Sequence, residues 1–274
     1  MAIAVEQIAT SVGKVQVRRG GEGDPLVYLH SAAGEGEGLT LLDELAARHA
    51  VIAPMFPGFG ESEGIEQIDG MEDAVFHLLD LFDQLKLAAP VLMGLSLGGW
   101  MAAELATRYP DRVSSLILVN PAGLYIQGAE IKDIFGRAPS EMAADLFADQ
   151  SHPVAQMMRQ VDRTLADSSA LSAIPFELIR PQLQALAATA RLAWNPYLHN
   201  PKLRPRLKRI SVPTLVVRGA HDTLIPAAHA QAYADEIAGA KLQEVPNAAH
   251  LISVERPAEL ATIINDFLAI DAPG

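Results

Sequence analysis

Three residues in this sequence have types and surroundings that could do chemistry together: Ser96, Asp222 and His250. Ser96 lies in Gly94-Leu95-Ser96-Leu97-Gly98, a G-x-S-x-G pattern. A serine hydroxyl is a weak nucleophile until a base takes its proton. A histidine can take that proton near neutral pH, and a carboxylate can orient the ring and stabilise its positive charge. The chemistry expected is attack of Ser96 on a carbonyl carbon, with His250 as base and Asp222 as its orienting acid. The chain order serine, aspartate, histidine differs from the other orders in which such trios occur.

These residues need elements that deliver them to one place. The buried run Pro90–Met93 reads as a strand, and Leu97 to Arg108 reads as a helix. Ser96 therefore falls on a strand-turn-helix corner so tight that its flanking positions must be small. Leu97 opens the helix with an unpaired backbone N–H, which favours an oxyanion there. A tetrahedral intermediate needs a second aligned donor. The small-residue loop Ser31-Ala32-Ala33-Gly34, after the strand Pro25–His30, supplies it, with Ala32 N–H expected and Ser31 next. Asp222 follows the strand Thr214–Val217, and His250 follows the strand Lys241–Val245, so both sit at carboxyl ends of strands.

Other histidines compete for the role of base. His221 adjoins Asp222 but faces elsewhere if Asp222 points into the site. His49, His77, His199 and His229 lie in or beside helical segments and are expected at the surface. His152 is a candidate for lining a substrate pocket, as are Ser31 and Trp194.

The rest of the chain alternates in the same way. Val15–Arg19 and Val51–Ala53 read as strands, with helices at Leu39–Arg48 and Met71–Leu87 and a further strand at Val113–Val119. From Leu124 to Arg206 no strand is expected. Helical pieces are read instead at Ile131–Phe135, Pro139–Ala148, Pro153–Asp167, Ser172–Ile179 and Gln182–Trp194. Alternation then resumes with helices at Pro226–Ile237 and Arg256–Ala269. Buried strands alternating with helices imply a mainly parallel sheet covered on both faces. The expected organisation is an α/β core over 1–123 and 206–274, interrupted by an all-helical insertion over 124–205. Met157, Met158, Leu165, Phe176, Leu178 and Trp194 in that block suit an apolar acyl or aromatic group, although helix packing is the commoner use of such side chains.

Composition narrows the classes. The chain has 274 residues, 33 acidic and 21 basic, a net charge of −12. That balance argues against nucleic-acid and anionic membrane partners, which require clustered Lys and Arg. No cysteine is present, which excludes disulfides, thiol nucleophiles and thiolate metal sites. The segment Met1–Lys14 lacks the basic and apolar regions of a signal peptide, and Pro90–Ala106 is too short and broken to span a membrane. A cytoplasmic protein with a small-molecule substrate is expected. No histidine–carboxylate grouping has metal-ligand spacing, and Gly58-Phe59-Gly60 lacks the third glycine of a dinucleotide loop, so neither metal nor cofactor is expected. A homodimer is compatible with the sequence on the base rate of soluble enzymes alone.

The sequence resembles the α/β-hydrolase superfamily over about residues 10–123 and 206–270. Ser96, Asp222 and His250 match its triad positions. His30-Ser31-Ala32 matches its oxyanion loop, Pro57-Gly58-Phe59-Gly60-Glu61-Ser62 its turn after the fourth strand, and His250 through Glu255-Arg256-Pro257 its histidine loop and final helix. The resemblance implies an eight-stranded sheet with a helical cap. Two departures stand out: Ser31 replaces the usual glycine, and Met55 replaces a common aspartate. Asn120 stands where some dehalogenases keep their acid, and an amide cannot take that role.

Three activities fit. The first is a cofactor-independent serine hydrolase of a carboxylic ester or lactone. The second is carbon–carbon bond hydrolysis like that of meta-cleavage-product hydrolases, which need an arginine for the substrate carboxylate. Arg159, Arg163, Arg180 and Arg191 are the candidates, and Leu251 replaces the tryptophan that commonly follows their histidine. The third is a slow-turnover ligand receptor on the same fold.

Overall fold

The computed structural model describes residues 3–36, 38–165 and 176–270. Eight strands form one sheet: β1 (Ala4–Thr10), β2 (Gly13–Gly20), β3 (Pro25–Leu29), β4 (Ala50–Pro54), β5 (Val91–Leu95), β6 (Ser115–Val119), β7 (Thr214–Gly219) and β8 (Lys241–Val245). Their order is β1-β2-β4-β3-β5-β6-β7-β8. β1 pairs antiparallel with β2, and β2 antiparallel with β4; every pairing from β4 to β8 is parallel. Every residue of β5 and β6 is buried, as strands covered on both faces should be.

The core helices are α1 (Thr40–Ala46), α2 (Met71–Gln84) and α3 (Leu97–Arg108), and, after the insertion, α7 (Ala227–Glu236), α8 (Ile252–Glu255) and α9 (Pro257–Ile270). α1 packs against α9 and α2 against α3, flanking the sheet. On α2 the stripe Val75, Leu78, Leu79 and Phe82 is buried. Each such side chain contributes about 1.5–3 kcal/mol by leaving water.

Between β6 and β7 the chain leaves the sheet and forms α4 (Pro139–Leu146), α5 (Pro153–Leu165) and α6 (Phe176–Ala193). The two ends of this excursion are fastened together. Gly123 N–H donates to Leu198 O and Asn200 N–H to Gly123 O, both at 2.9 Å. The buried Glu104 carboxylate on α3 accepts the Asn200 side-chain amide at 2.7 Å and the Trp100 indole N–H at 3.0 Å. The serine-bearing helix is thereby tied to the returning chain.

The structure corrects several expectations about elements. Ile131–Phe135 is not helical: Lys132 N–H donates instead to Leu224 O, 3.1 Å away on the loop after β7. The pieces Ser172–Ile179 and Gln182–Trp194 meet in one helix, α6, which continues through Pro181. Asp167 and 172–175 lie outside the described residues. β1, which the sequence pattern does not predict, is an edge strand with no fully buried position.

Candidate active site

Ser96 occupies the corner between β5 and α3 with φ 55° and ψ −110°, a backbone conformation L-residues rarely adopt. Close packing explains the glycines around it. A β-carbon at Gly94 would lie 2.2 Å from Gly98 O, and one at Gly98 would lie 2.2 Å from Leu29 O. The corner is bonded to the next strand, with Ser96 N–H donating to Val119 O at 2.9 Å and Ala122 N–H to Ser96 O at 3.1 Å. Leu97 is the first residue of α3, so its N–H has no carbonyl in the preceding turn.

Asp222 and His250 meet although they are far apart in sequence. His250 Nδ1 lies 2.8 Å from Asp222 Oδ2, and both side chains are 2 % exposed. The second carboxylate oxygen, Oδ1, accepts the N–H groups of Leu224 and Ile225, each at 2.9 Å. With both oxygens occupied, the carboxylate cannot rotate away from the ring. An imidazole donating its Nδ1 proton to Asp222 keeps Nε2 as its basic nitrogen.

Asn120, immediately after β6, locks the histidine loop. Its Nδ2 donates to Ala249 O at 3.1 Å and His250 O at 2.8 Å, and its Oδ1 accepts Gly219 N–H at 3.0 Å. It follows Val119, which holds Ser96, and touches the backbone of His250. The serine corner and the histidine loop thus lie on two sides of one residue.

The loop after β3 is ordered by Glu35. Its carboxylate accepts Ser31 N–H at 2.9 Å, the Ser31 hydroxyl at 2.6 Å and the Tyr28 hydroxyl at 2.7 Å. Ser31 Oγ in turn accepts Ala33 N–H, and Ser31 O accepts Gly34 N–H, each at 3.0 Å. His30 completes the brace: its Nε2 accepts Phe56 N–H at 3.0 Å, and its Nδ1 meets Ser31 O at 2.7 Å. Burial holds the His30 pKa down, so the ring stays neutral and fits both bonds. Among the described residues, the N–H groups of Ser31, Ala33 and Gly34 are all engaged inside this loop. That leaves Ala32, partly exposed, with no partner for its N–H inside the loop.

The remaining candidates fall elsewhere. Ser31 is 2 % exposed and its hydroxyl donates to the Glu35 carboxylate. The His152 ring stacks on Phe147 at 4.9 Å, and its Nδ1 accepts Val154 N–H at the start of α5. Trp194 is 63 % exposed and packs on Phe135, and Met157 and Phe176 are also exposed, so these three face outward. Met158 packs against the core, whereas the Leu165 and Leu178 side chains lie outside the described residues. His77 and His229 are buried rather than at the surface. His77 sits on the core side of α2 edge-on to Phe56, and His229 Nε2 bonds Ala129 O at 2.7 Å. Burial pushes the His77 pKa down to about 4 and lowers that of His229.

Sequence reading missed Asn120 as a clamp, and it missed Glu35 and Glu255. Glu255 Oε2 accepts Ala249 N–H at 2.9 Å, and its Oε1 accepts Asp149 N–H at 2.6 Å. Only the pairing of Glu255 with the histidine loop leaves a trace in sequence, through its closeness to His250.

The sheet order, the strained serine corner and the Asp222–His250 pair define an α/β hydrolase. Residues 24–257 match the alpha/beta hydrolase fold family, and the chain belongs to it. It is 31 % identical to the 2-hydroxymuconate semialdehyde hydrolase of Pseudomonas sp. (strain CF600), across 97 % of this chain and 94 % of that one. It is 28 % identical to a 2-hydroxy-6-oxo-2,4-heptadienoate hydrolase of Pseudomonas putida, across 92 % and 91 %. Among solved structures, the naproxen esterase from Bacillus subtilis superposes with a TM-score of 0.73 at 21 % identity, covering 97 % of this chain and 92 % of that one. No helix among the described residues is long and apolar enough to cross a membrane.

Proposed function

We propose that the chain is a serine hydrolase that opens a carboxylic ester or lactone through an acyl-enzyme on Ser96. The observation that carries this reading is the buried Asp222–His250 pair, fixed by Asn120 beside the Ser96 corner. His250 Nε2 takes the Ser96 proton as Oγ attacks the carbonyl carbon. The N–H groups of Leu97 and Ala32 hold the oxygen that becomes negative, and Asp222 stabilises the imidazolium. Collapse expels the alcohol, which receives the proton from His250. Water, deprotonated by the same nitrogen, then releases the acid and restores Ser96.

A second reading, hydrolysis of a carbon–carbon bond in a dienoic keto acid, draws support from the printed activities of the relatives above. That chemistry requires a cation for the substrate carboxylate; of the arginines proposed for it, Arg191 and Arg180 are paired with carboxylates, and Arg159 and Arg163 bond to neutral glutamines. Arg191 donates to Ile68 O, Glu66 O and Asp69. Arg180 pairs with Glu177, Arg159 with Gln150, and Arg163 reaches Gln160. Ester hydrolysis needs no such cation, and we rank it first. Turnover of short-chain nitrophenyl esters beside a coloured meta-cleavage product tests the order. A catalytic efficiency higher on the ester supports it, and turnover of the dienoic acid alone reverses it.

A further inference from the structure

Residues 145–149 of the inserted helical block bond to neighbours of the proposed acid and base. At the end of α4, the Asp145 carboxylate accepts the hydroxyl of Thr223, the neighbour of Asp222, at 2.6 Å. Asp145 is itself buried and paired with Lys132 and Arg137. Leu146 O accepts the N–H of Leu251, the residue after His250, at 3.1 Å. The Asp149 N–H reaches Glu255, whose other oxygen holds Ala249, the residue before His250. Both neighbours of His250 are therefore bonded, directly or through Glu255, to residues 145–149 of the insertion.

Glu255 is 6 % exposed, and a buried carboxylate keeps its place only where donors satisfy it. Its two donors come from different parts of the molecule, so the carboxylate joins the turn at Asp149 to the backbone that carries the imidazole. A displacement of about 1 Å at a catalytic base is enough to slow a reaction about 100-fold, because the proton must be in line when the nucleophile attacks.

Resting on the reading of His250 as the base, we propose that Glu255 is a positioning residue. It makes the 145–149 turn of the insertion part of the frame that aims the imidazole at Ser96. The insertion is then more than a cover for the substrate. Its seating on the core sets whether the base is aligned.

The test uses Glu255→Gln, in which one amide hydrogen faces a backbone N–H and one of the two bonds is lost. Four readouts are taken: the melting temperature, kcat and KM on a nitrophenyl ester, the rate of Ser96 labelling by a fluorophosphonate, and the downfield proton resonance of His250 Nδ1–H. The expected result is folded protein with an unchanged KM. Its kcat and labelling rate fall by about 10- to 100-fold, and the Nδ1–H resonance is shifted or broadened. Glu255→Asp, which keeps both acceptors on a shorter arm, should recover part of the rate. Wild-type labelling rate and an unmoved resonance in folded Glu255→Gln overturn the proposal. If that variant does not fold, Asp149→Pro removes the N–H from the insertion side, and the same losses are expected. Failure of both to fold would make Glu255 a stability residue and also overturn it. Absence of Ser96 labelling in the unaltered protein would instead refute the hydrolase reading, while the resonance still reports on Glu255.

Discussion

The side-chain nitrogen of Asn120 lies 2.8 Å from the carbonyl oxygen of His250, so His250 is held by its backbone as well as by Asp222. The same amide spans Ala249 and Gly219, and its two ends are not interchangeable. Asn120→Asp would place an acceptor against two carbonyl oxygens. We expect a loss of about 1–3 kcal/mol in urea unfolding and a fall in kcat larger than any change in KM. Unchanged unfolding and kcat would show that the amide is not needed.

Ser31→Ala removes a hydroxyl that donates to Glu35 and accepts from Ala33. The loop carrying the Ala32 N–H should loosen. A drop in kcat of about tenfold is expected, as for a weakened oxyanion donor, with little effect on KM. Steady-state kinetics on one ester measures it, and a raised KM with unchanged kcat would place Ser31 in binding instead.

Stability should fall in mild acid because of His77. Burial depresses its folded pKa to about 4, below the ordinary histidine value of 6.5. Above the unfolded value both states are neutral and the full stability is present. As pH falls toward 4 the unfolded chain takes the proton first, and stability is lost by roughly 3 kcal/mol in all. His30 and His229, also depressed by burial, act in the same direction. His77→Leu should reduce the drop in urea midpoint between pH 7 and pH 5, without abolishing it. An identical drop in the variant would remove His77 from the account.

Arg191 joins α6 to the core loop at Glu66, Ile68 and Asp69. Arg191→Ala should lower the melting temperature by about 2–4 °C and affect substrates with and without a carboxylate equally. A loss confined to carboxylate-bearing substrates would make this arginine a substrate clamp and favour carbon–carbon cleavage.

The elements whose role is written in local pattern were legible in the sequence. The G-x-S-x-G run requires a tight corner, and the helix it begins, Leu97–Arg108, and the strand Lys241–Val245 match the structure residue for residue. Contacts between distant segments were not legible. Asn120 reads as an amide where an acid could have stood, and nothing near it in sequence names Ala249 or Gly219 as partners. Glu35 reads as one of several acids in a glycine-rich loop. His77 and His229 read as surface residues because a polar side chain on a helix is usually exposed, yet both lie on the core side. Ile131–Phe135 has helical composition, but Lys132 N–H bonds Leu224 O and the segment bends at Ile134 and Phe135 instead of coiling.

Hydrolysis at this site requires transfer of the Ser96 proton to His250. The direct measurement is the rate and location of fluorophosphonate addition, followed by peptide mass spectrometry, in the unaltered protein and in His250→Ala. A single adduct on Ser96 is expected, with labelling slowed by about three or more powers of ten in the variant. An adduct on another residue, or equal rates in the two proteins, would contradict it.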